Sequence, residues 1–174
     1  LRTGRAGAPG VSDTASLAEP VFEPAEPADE MWMQRALEQA ARAASASEVP
    51  VGAVMVRGER IVAEAYNLTR ARNDPTAHAE MVAIARTIAR TNEARLLDFT
   101  VYVTLEPCAM CAGALVLAKL GRLVYGARDP KAGMCGSLAC IAQDARLNHR
   151  IRLTAGVLEA SAGEMLRAFF RARR

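Results

Sequence analysis

Two short clusters hold the residues best suited to chemistry. One is Thr76-Ala77-His78-Ala79-Glu80 and the other Glu106-Pro107-Cys108-Ala109-Met110-Cys111. Cys108 and Cys111 are three residues apart, so on a helix their sulfurs share one face. Both clusters open an expected helix, where the positive end of the dipole favours thiolates. Two thiolates and one neutral imidazole, from Cys108, Cys111 and His78, form a borderline-soft donor set suited to Zn²⁺, one ion per chain. Three protein donors leave the fourth tetrahedral position to water, which separates a catalytic site from a structural one. Water held there ionises at a pKa of about 7 instead of 15.7. Glu80, two residues beyond His78, is placed to carry its proton.

Blander readings stand beside this one. A Cys-x-x-Cys alone is also a redox pair or half of a structural zinc knuckle; His78 and Glu80 at a separate helix start favour the catalytic reading. A closed structural site needs a fourth ligand, and Cys135, Cys140 and His149 are the candidates. Cys135 and Cys140, five apart across Gly136-Ser137, do not have ligand spacing and read as free thiols. His149, between Asn148 and Arg150, reads as a surface or hydrogen-bonding residue.

The elements that must position these groups follow from periodicity. Trp32, Ala36, Leu37, Ala40 and Ala44 predict a helix from Asp29 to about Ser45. Val51 to Val56 and Ile61 to Tyr66 predict a hairpin around Arg57-Gly58. After a polar loop ending at Pro75, Thr76 is expected to cap a helix to about Arg90, with Met81, Ile84, Ala85 and Ile88 on one face. Phe99 to Thr104 predicts a strand, and Cys108 to Leu120 a helix closed by Gly121. Strands at Leu123 to Tyr125 and Ile151 to Thr154 flank a glycine-containing loop, and a last helix follows Gly156. The order α-β-β-α-β-α-β-β-α predicts an α/β domain with a mixed sheet covered on both faces.

Composition bounds the function classes. The 174 residues are 51% hydrophobic and 24% charged, enough for a core without cross-links. No apolar run is long enough to span a membrane, and the first thirty residues lack a secretory h-region. Four cysteines in such a domain read as reduced thiols, which predicts a cytoplasmic protein. Residues 1–29, rich in Pro, Ala and Glu, are expected to be a disordered leader, with the zinc-dependent domain spanning 30–174. Residues 1–30 carry two Arg against six acidic residues, whereas the remainder carries 20 basic and 13 acidic residues. Four Arg fall in the last eight positions, beside Phe169 and Phe170. That basic, aromatic tail suits a polyanion, or else is a solvated face with one Phe in the core.

The pair His-x-Glu and Pro-Cys-x-x-Cys resembles the signature of the zinc deaminases. From about residue 31 onward the chain resembles the cytidine deaminase-like superfamily and, within it, the bacterial tRNA adenosine deaminases. The likeness rests on Glu48-Val49-Pro50-Val51-Gly52-Ala53-Val54, Asn67, Asp74 to Glu80, Thr104 to Ala114, Gly126 to Lys131, Gly136-Ser137-Leu138, Asn148-His149-Arg150 and Phe169-Phe170-Arg171. It implies a three-layer α/β/α fold with a central five-stranded mixed sheet. It also implies a homodimer that converts adenosine to inosine at the wobble position of a tRNA anticodon, typically of an arginine tRNA. Asn67, otherwise an ordinary turn residue, would hydrogen-bond the flipped-out base. Asp129, Lys131, Phe170 and Arg171 would meet neighbouring anticodon-loop nucleotides. Two competing functions remain: a deaminase of a free base or nucleotide, of guanine or cytosine type, and a non-catalytic zinc-stabilised binding module. The basic body favours RNA over the first, and Glu80 with an open zinc position argues against the second.

Overall fold

The computed structural model describes residues 19–173. Five strands form one sheet in the order β2-β1-β3-β4-β5. These are β1 (Gly52–Arg57), β2 (Arg60–Tyr66), β3 (Phe99–Leu105), β4 (Arg122–Ala127) and β5 (Arg152–Ala155). β1 runs antiparallel to both β2 and β3, whereas β3, β4 and β5 are parallel. The sheet is therefore mixed, as expected. β3 and β4, buried on both faces, read as nearly continuous apolar strands.

Four helices cover the two faces. α1 (Asp29–Ser45) buries Met33, Ala36, Leu37, Ala40 and Ala43, and shares one side of the sheet with α4 (Glu159–Arg171), which buries Ala162 and Phe169. α1 lies very close to β1: a Cβ on Gly52 would fall 2.1 Å from the Ala36 carbonyl oxygen. α2 (Ala79–Thr91) and α3 (Ala109–Leu117) pack on the opposite face with Val82, Ala83, Leu115 and Val116 in the larger core. The architecture is the three-layer α/β/α arrangement.

Several local expectations change. α2 starts at Ala79 with His78 as its N-cap, because Thr76 is drawn to the Asp74 carboxylate instead, at 2.6 Å from Oγ1 and 2.8 Å from N. Its buried face is Ala79, Glu80, Val82, Ala83, Ile84 and Thr87, with Ala85 exposed and Met81 only half-buried. Thr87 is tolerated inside because its hydroxyl donates to the Ala83 carbonyl at 2.8 Å. α3 ends at Leu117, and Lys119 (φ 56°) takes the left-handed turn expected of Gly121. A 3-10 turn at Ile141–Gln143 has no counterpart in the sequence pattern.

The expected leader needs the clearest correction. Residues 1–18 lie outside the described residues, but 19–28 are docked on the domain. Phe22 pairs with Leu153 in a parallel bridge beside β5, and the Glu23 amide donates to the Leu153 carbonyl at 2.7 Å. Composition favours disorder here; one aromatic residue and an open sheet edge outweigh it.

Beneath the sheet lies a buried ion pair that no local pattern signals. Arg122 Nη1 and Nη2 each donate to Asp29 at 2.7 Å, and Tyr102 Oη donates to Asp29 at 2.9 Å. Asp29 is fully buried. Burial works to raise its pKa, but the bonds from Arg122, Glu26 and Tyr102 outweigh it and hold the carboxyl below its ordinary value. Asp29→Ala leaves the buried Arg122 with only Thr154 at 2.8 Å and the exposed Glu26 carboxylate at 3.5 Å, and is expected to cost about 3 kcal/mol in urea unfolding at pH 7. Because the folded pKa is depressed, the wild-type contribution is present above the ordinary carboxylate value and lost as pH falls through the folded one. The deficit between wild type and variant should therefore shrink in acid.

Candidate active site

The site forms at one end of the sheet, where β1 begins and β2, β3 and β4 end. Such carboxyl ends of parallel strands, followed by helix N-termini, are where α/β sheets bind ligands. Leu105 ends β3 and the chain passes through Glu106-Pro107 into α3, with Cys108 as N-cap. Across the sheet, Asn67 follows β2 directly. Its Oδ1 accepts the Ala79 amide at 2.8 Å, so Asn67 satisfies the first helical N–H of α2 and fixes the turn that carries His78.

His78 Nδ1 lies 3.7 Å from Cys108 Sγ and 3.6 Å from Cys111 Sγ, and the three donor atoms all lie within 4.8 Å of one another. Tetrahedral zinc, with bonds of about 2.3 Å to sulfur and 2.0–2.1 Å to nitrogen, requires a sulfur–nitrogen edge of about 3.6 Å. The donor set and its spacing fit zinc. Hydrogen bonding between the sulfurs and with His78 pulls the Cys108 thiol far down, while the bond to Cys108 and burial push Cys111 up. The His78 pKa is raised, chiefly by its bond to Cys108. Negative charge thus gathers at Cys108, at the positive end of α3.

A cavity of about 230 Å³ opens beside these donors, lined by His78, Glu80, Cys108, Asn67 and Asp129 among others. Glu80 is 4% exposed, and burial raises its carboxyl pKa. Val49, Val51 and Leu105 supply the apolar walls. With Oδ1 committed to Ala79, Asn67 has only its Nδ2 amide to offer as a donor.

The structure separates the remaining sequence candidates. Asp129 reaches the cavity, but Lys131, Phe170 and Arg171 line a second depression of about 620 Å³ with Leu166, Arg167 and Arg173. Phe170 is 49% exposed, whereas its neighbour Phe169 is buried beneath the Arg173 guanidinium, 3.5 Å from the ring centroid. Arg171 is paired with Glu164 at 2.6 Å on the same helix, and Arg174 lies outside the described residues. Cys135 and Cys140 pair in an isolated bridge and are not part of the donor cluster. His149 Nε2 lies 2.7 Å from the Leu120 carbonyl oxygen.

Glu48 and Glu106, which the sequence offers only as members of motifs, prove to be buried carboxylates that organise loops. Glu48 accepts the Arg70 and Ala71 amides at 2.9 and 2.8 Å and the Thr69 hydroxyl at 3.0 Å, pinning the loop after Asn67. Glu106 accepts the amides of Asp129, Cys135 and Ser137 at 3.0, 3.0 and 2.9 Å, and the Ser137 hydroxyl. It thereby holds the loop 128–137 against the cavity. Their only sequence signal is position: each acid stands directly before a Val-Pro or Pro-Cys step at the edge of a buried element.

Comparison with known proteins adds to this geometry. The family model described as MafB19-like deaminase matches residues 28–174. The tRNA-specific adenosine deaminase of Bacillus subtilis (strain 168) is 46% identical over 143 residues, 82% of this chain and 89% of that protein. A solved structure from studies of A-to-I editing by tRNA:A34 deaminases at the wobble position of transfer RNA superposes with a TM-score of 0.74. It is 39% identical and covers 78% of this chain and 99% of its own. A guanine deaminase from Bacillus subtilis superposes at 0.55 with 37% identity, over 57% of this chain and 64% of its own.

Proposed function

The chain belongs to the family of the MafB19-like deaminases and tRNA-specific adenosine deaminases, and on that premise we propose that it hydrolytically deaminates adenosine to inosine at wobble position 34 of a tRNA anticodon. The observation that carries the substrate class is the pairing of two sites on one loop. Asp129 borders a cavity that takes a single base, and Lys131, two residues on, borders a depression rimmed by Arg167, Arg171, Arg173 and Phe170. Cations and an exposed ring beside a one-base cavity suit a flipped-out nucleotide whose neighbours remain on the strand. A free base offers no phosphate to such a rim.

His78, Cys108 and Cys111 would hold one zinc ion, which when bound supplies activation of water as a nucleophile at neutral pH. Glu80 moves the proton: its carboxylate accepts it from the attacking water and returns it to the amino nitrogen on C6. The C6–O bond forms, the C6–N bond breaks, and the nitrogen leaves as ammonia. Burial favours the protonated carboxyl during that transfer. Asn67 donates from Nδ2 to an acceptor on the base edge, which orients the ring. Val49, Val51 and Leu105 exclude bulk water from the reacting face.

The homodimer and the cytoplasmic setting belong to the same proposal. An apolar face, with Leu117 78% and Leu147 42% exposed around a depression lined by Gly113, Val116 and Ile141, supports packing of a second copy. None of the described helices is long and apolar enough to cross a membrane. Four cysteines with no disulfide among them and a tRNA substrate suit the cytoplasm.

The test of substrate class is a salt titration of tRNA binding. Arg171→Ala with Arg173→Ala should weaken binding with zinc content unchanged and the protein still fully folded at the assay temperature. The lost contact of Arg173 with Phe169 should cost only a few degrees of melting temperature. The slope of log affinity against log salt should fall by about 0.7–0.9 for each phosphate no longer neutralised. Equal affinities and slopes would remove the tail from the binding surface, and a well-folded wild type that binds no tRNA would favour a free-base substrate.

A further inference from the structure

Residues 19–27 lie ahead of the family match, yet they dock on the domain. Val21 and Gln143 exchange hydrogen bonds at 2.8 and 2.9 Å, and the bridge at Phe22 with the Glu23 amide bond extends the sheet past β5. Arg152 donates to Glu23 at 3.2 Å. An edge strand covered this way loses its free hydrogen-bonding row.

The Phe22 side chain reaches further than edge protection requires. Its ring meets Tyr125 edge-to-face with centroids 6.3 Å apart, and the Arg128 guanidinium lies over it at 5.1 Å. Gly136 (φ 147°) passes so near that a Cβ there would lie 2.8 Å from Phe22 Cζ. Tyr125 Oη in turn donates to the Cys135 carbonyl at 3.2 Å. The loop 128–137 is therefore held by the Glu106 carboxylate, by a backbone bridge from Gly133 to Cys108 with the Met134 amide on the Pro107 carbonyl at 2.9 Å, and by the Phe22 ring on its other side. The same loop presents Asp129 to the cavity and Lys131 to the cationic depression.

We propose that Phe22 is a positioning residue for substrate: docked under the loop 128–137, it sets where Asp129 and Lys131 stand. Phe22 does not line the cavity, and Gly133 keeps its own backbone bridge to Cys108, so the influence of the ring falls chiefly on substrate engagement. The kinetic side of this inference rests on the tRNA reading; the structural side does not.

The test uses the full chain carrying Phe22→Ala, with Phe22→Leu as the variant that keeps apolar bulk. Hydrogen exchange of the amides in 128–137 should quicken about tenfold in Phe22→Ala, the order expected when an aromatic pair and a cation–π interaction are removed. α1, α2 and zinc content should match wild type, and Phe22→Leu should lie between. KM for tRNA should rise about tenfold with kcat within about threefold. Unchanged exchange in 128–137, or a rise spread equally over α1 and α2, overturns the proposal. So does a fall in kcat with KM unmoved. A wild type that converts no tRNA adenosine overturns the substrate reading only, and exchange still decides the role of Phe22.

Discussion

Glu80→Gln is expected to lower kcat by about 10²–10⁴-fold, with zinc content and melting temperature at wild-type values. Glutamine keeps the volume and a hydrogen-bonding oxygen but cannot carry a proton. The loss follows from geometry: Glu80 is buried on the first turn of α2, two residues from His78, with its carboxyl at the cavity wall. It is also the one of the three acids on that wall whose carboxyl is not taken up by loop amides. Glu106 is committed to three loop amides and a hydroxyl, and the Asp129 carboxylate accepts the Lys131 and Ala132 amides at 2.9 and 3.2 Å. KM for tRNA should change little, because removing a proton relay lowers kcat and kcat/KM together. Near-wild-type turnover by a folded, zinc-loaded Glu80→Gln protein would reject the assigned mechanism.

Cys108→Ser and Cys111→Ser are expected to lose zinc and, with it, all measurable turnover. A serine hydroxyl stays protonated where a thiolate would bind, and two remaining donors are too few for a zinc site of this class. Elemental analysis should find one zinc per chain in wild type and well under one in either variant. Cys135→Ser and Cys140→Ser should keep the metal. Burial raises both of those thiols, and neither belongs to the donor cluster. Loss of zinc with Cys135→Ser or Cys140→Ser in a folded protein would move the ligand set, and two zinc ions per chain would contradict the single cluster.

The parts of this site that are legible in the sequence are those encoded locally. The three-residue spacing of Cys108 and Cys111 and the placement of His78 and Glu80 need only a helix start to acquire meaning. Strand and helix existence follows from apolar patterning: β1 and β3 are short, nearly continuous apolar runs, and α1 carries its alanines at helical spacing. What periodicity misses is buried polarity. Glu80 and Thr87 sit on the inner face of α2, so counting apolar residues alone turns that face toward Ala85. Long-range satisfaction is equally invisible: Asp29 and Arg122 are 93 residues apart and Asn67 caps a helix 12 residues on. Glu48 and Glu106 each organise a loop whose amides are distant in sequence. The docking of Phe22 depends on an edge that exists only once β5 is in place.

Substrate competition tests the wobble-deaminase assignment most directly. Purified protein with one zinc per chain is given a tRNA bearing adenosine at position 34, alongside free adenosine, guanine and cytosine, and the products are identified in the RNA and in the small-molecule pool. Inosine is expected at position 34 of the tRNA, with no inosine in a tRNA bearing another base there and no conversion of the free compounds. Deamination of guanine or cytosine with the tRNA left unchanged would contradict the assignment.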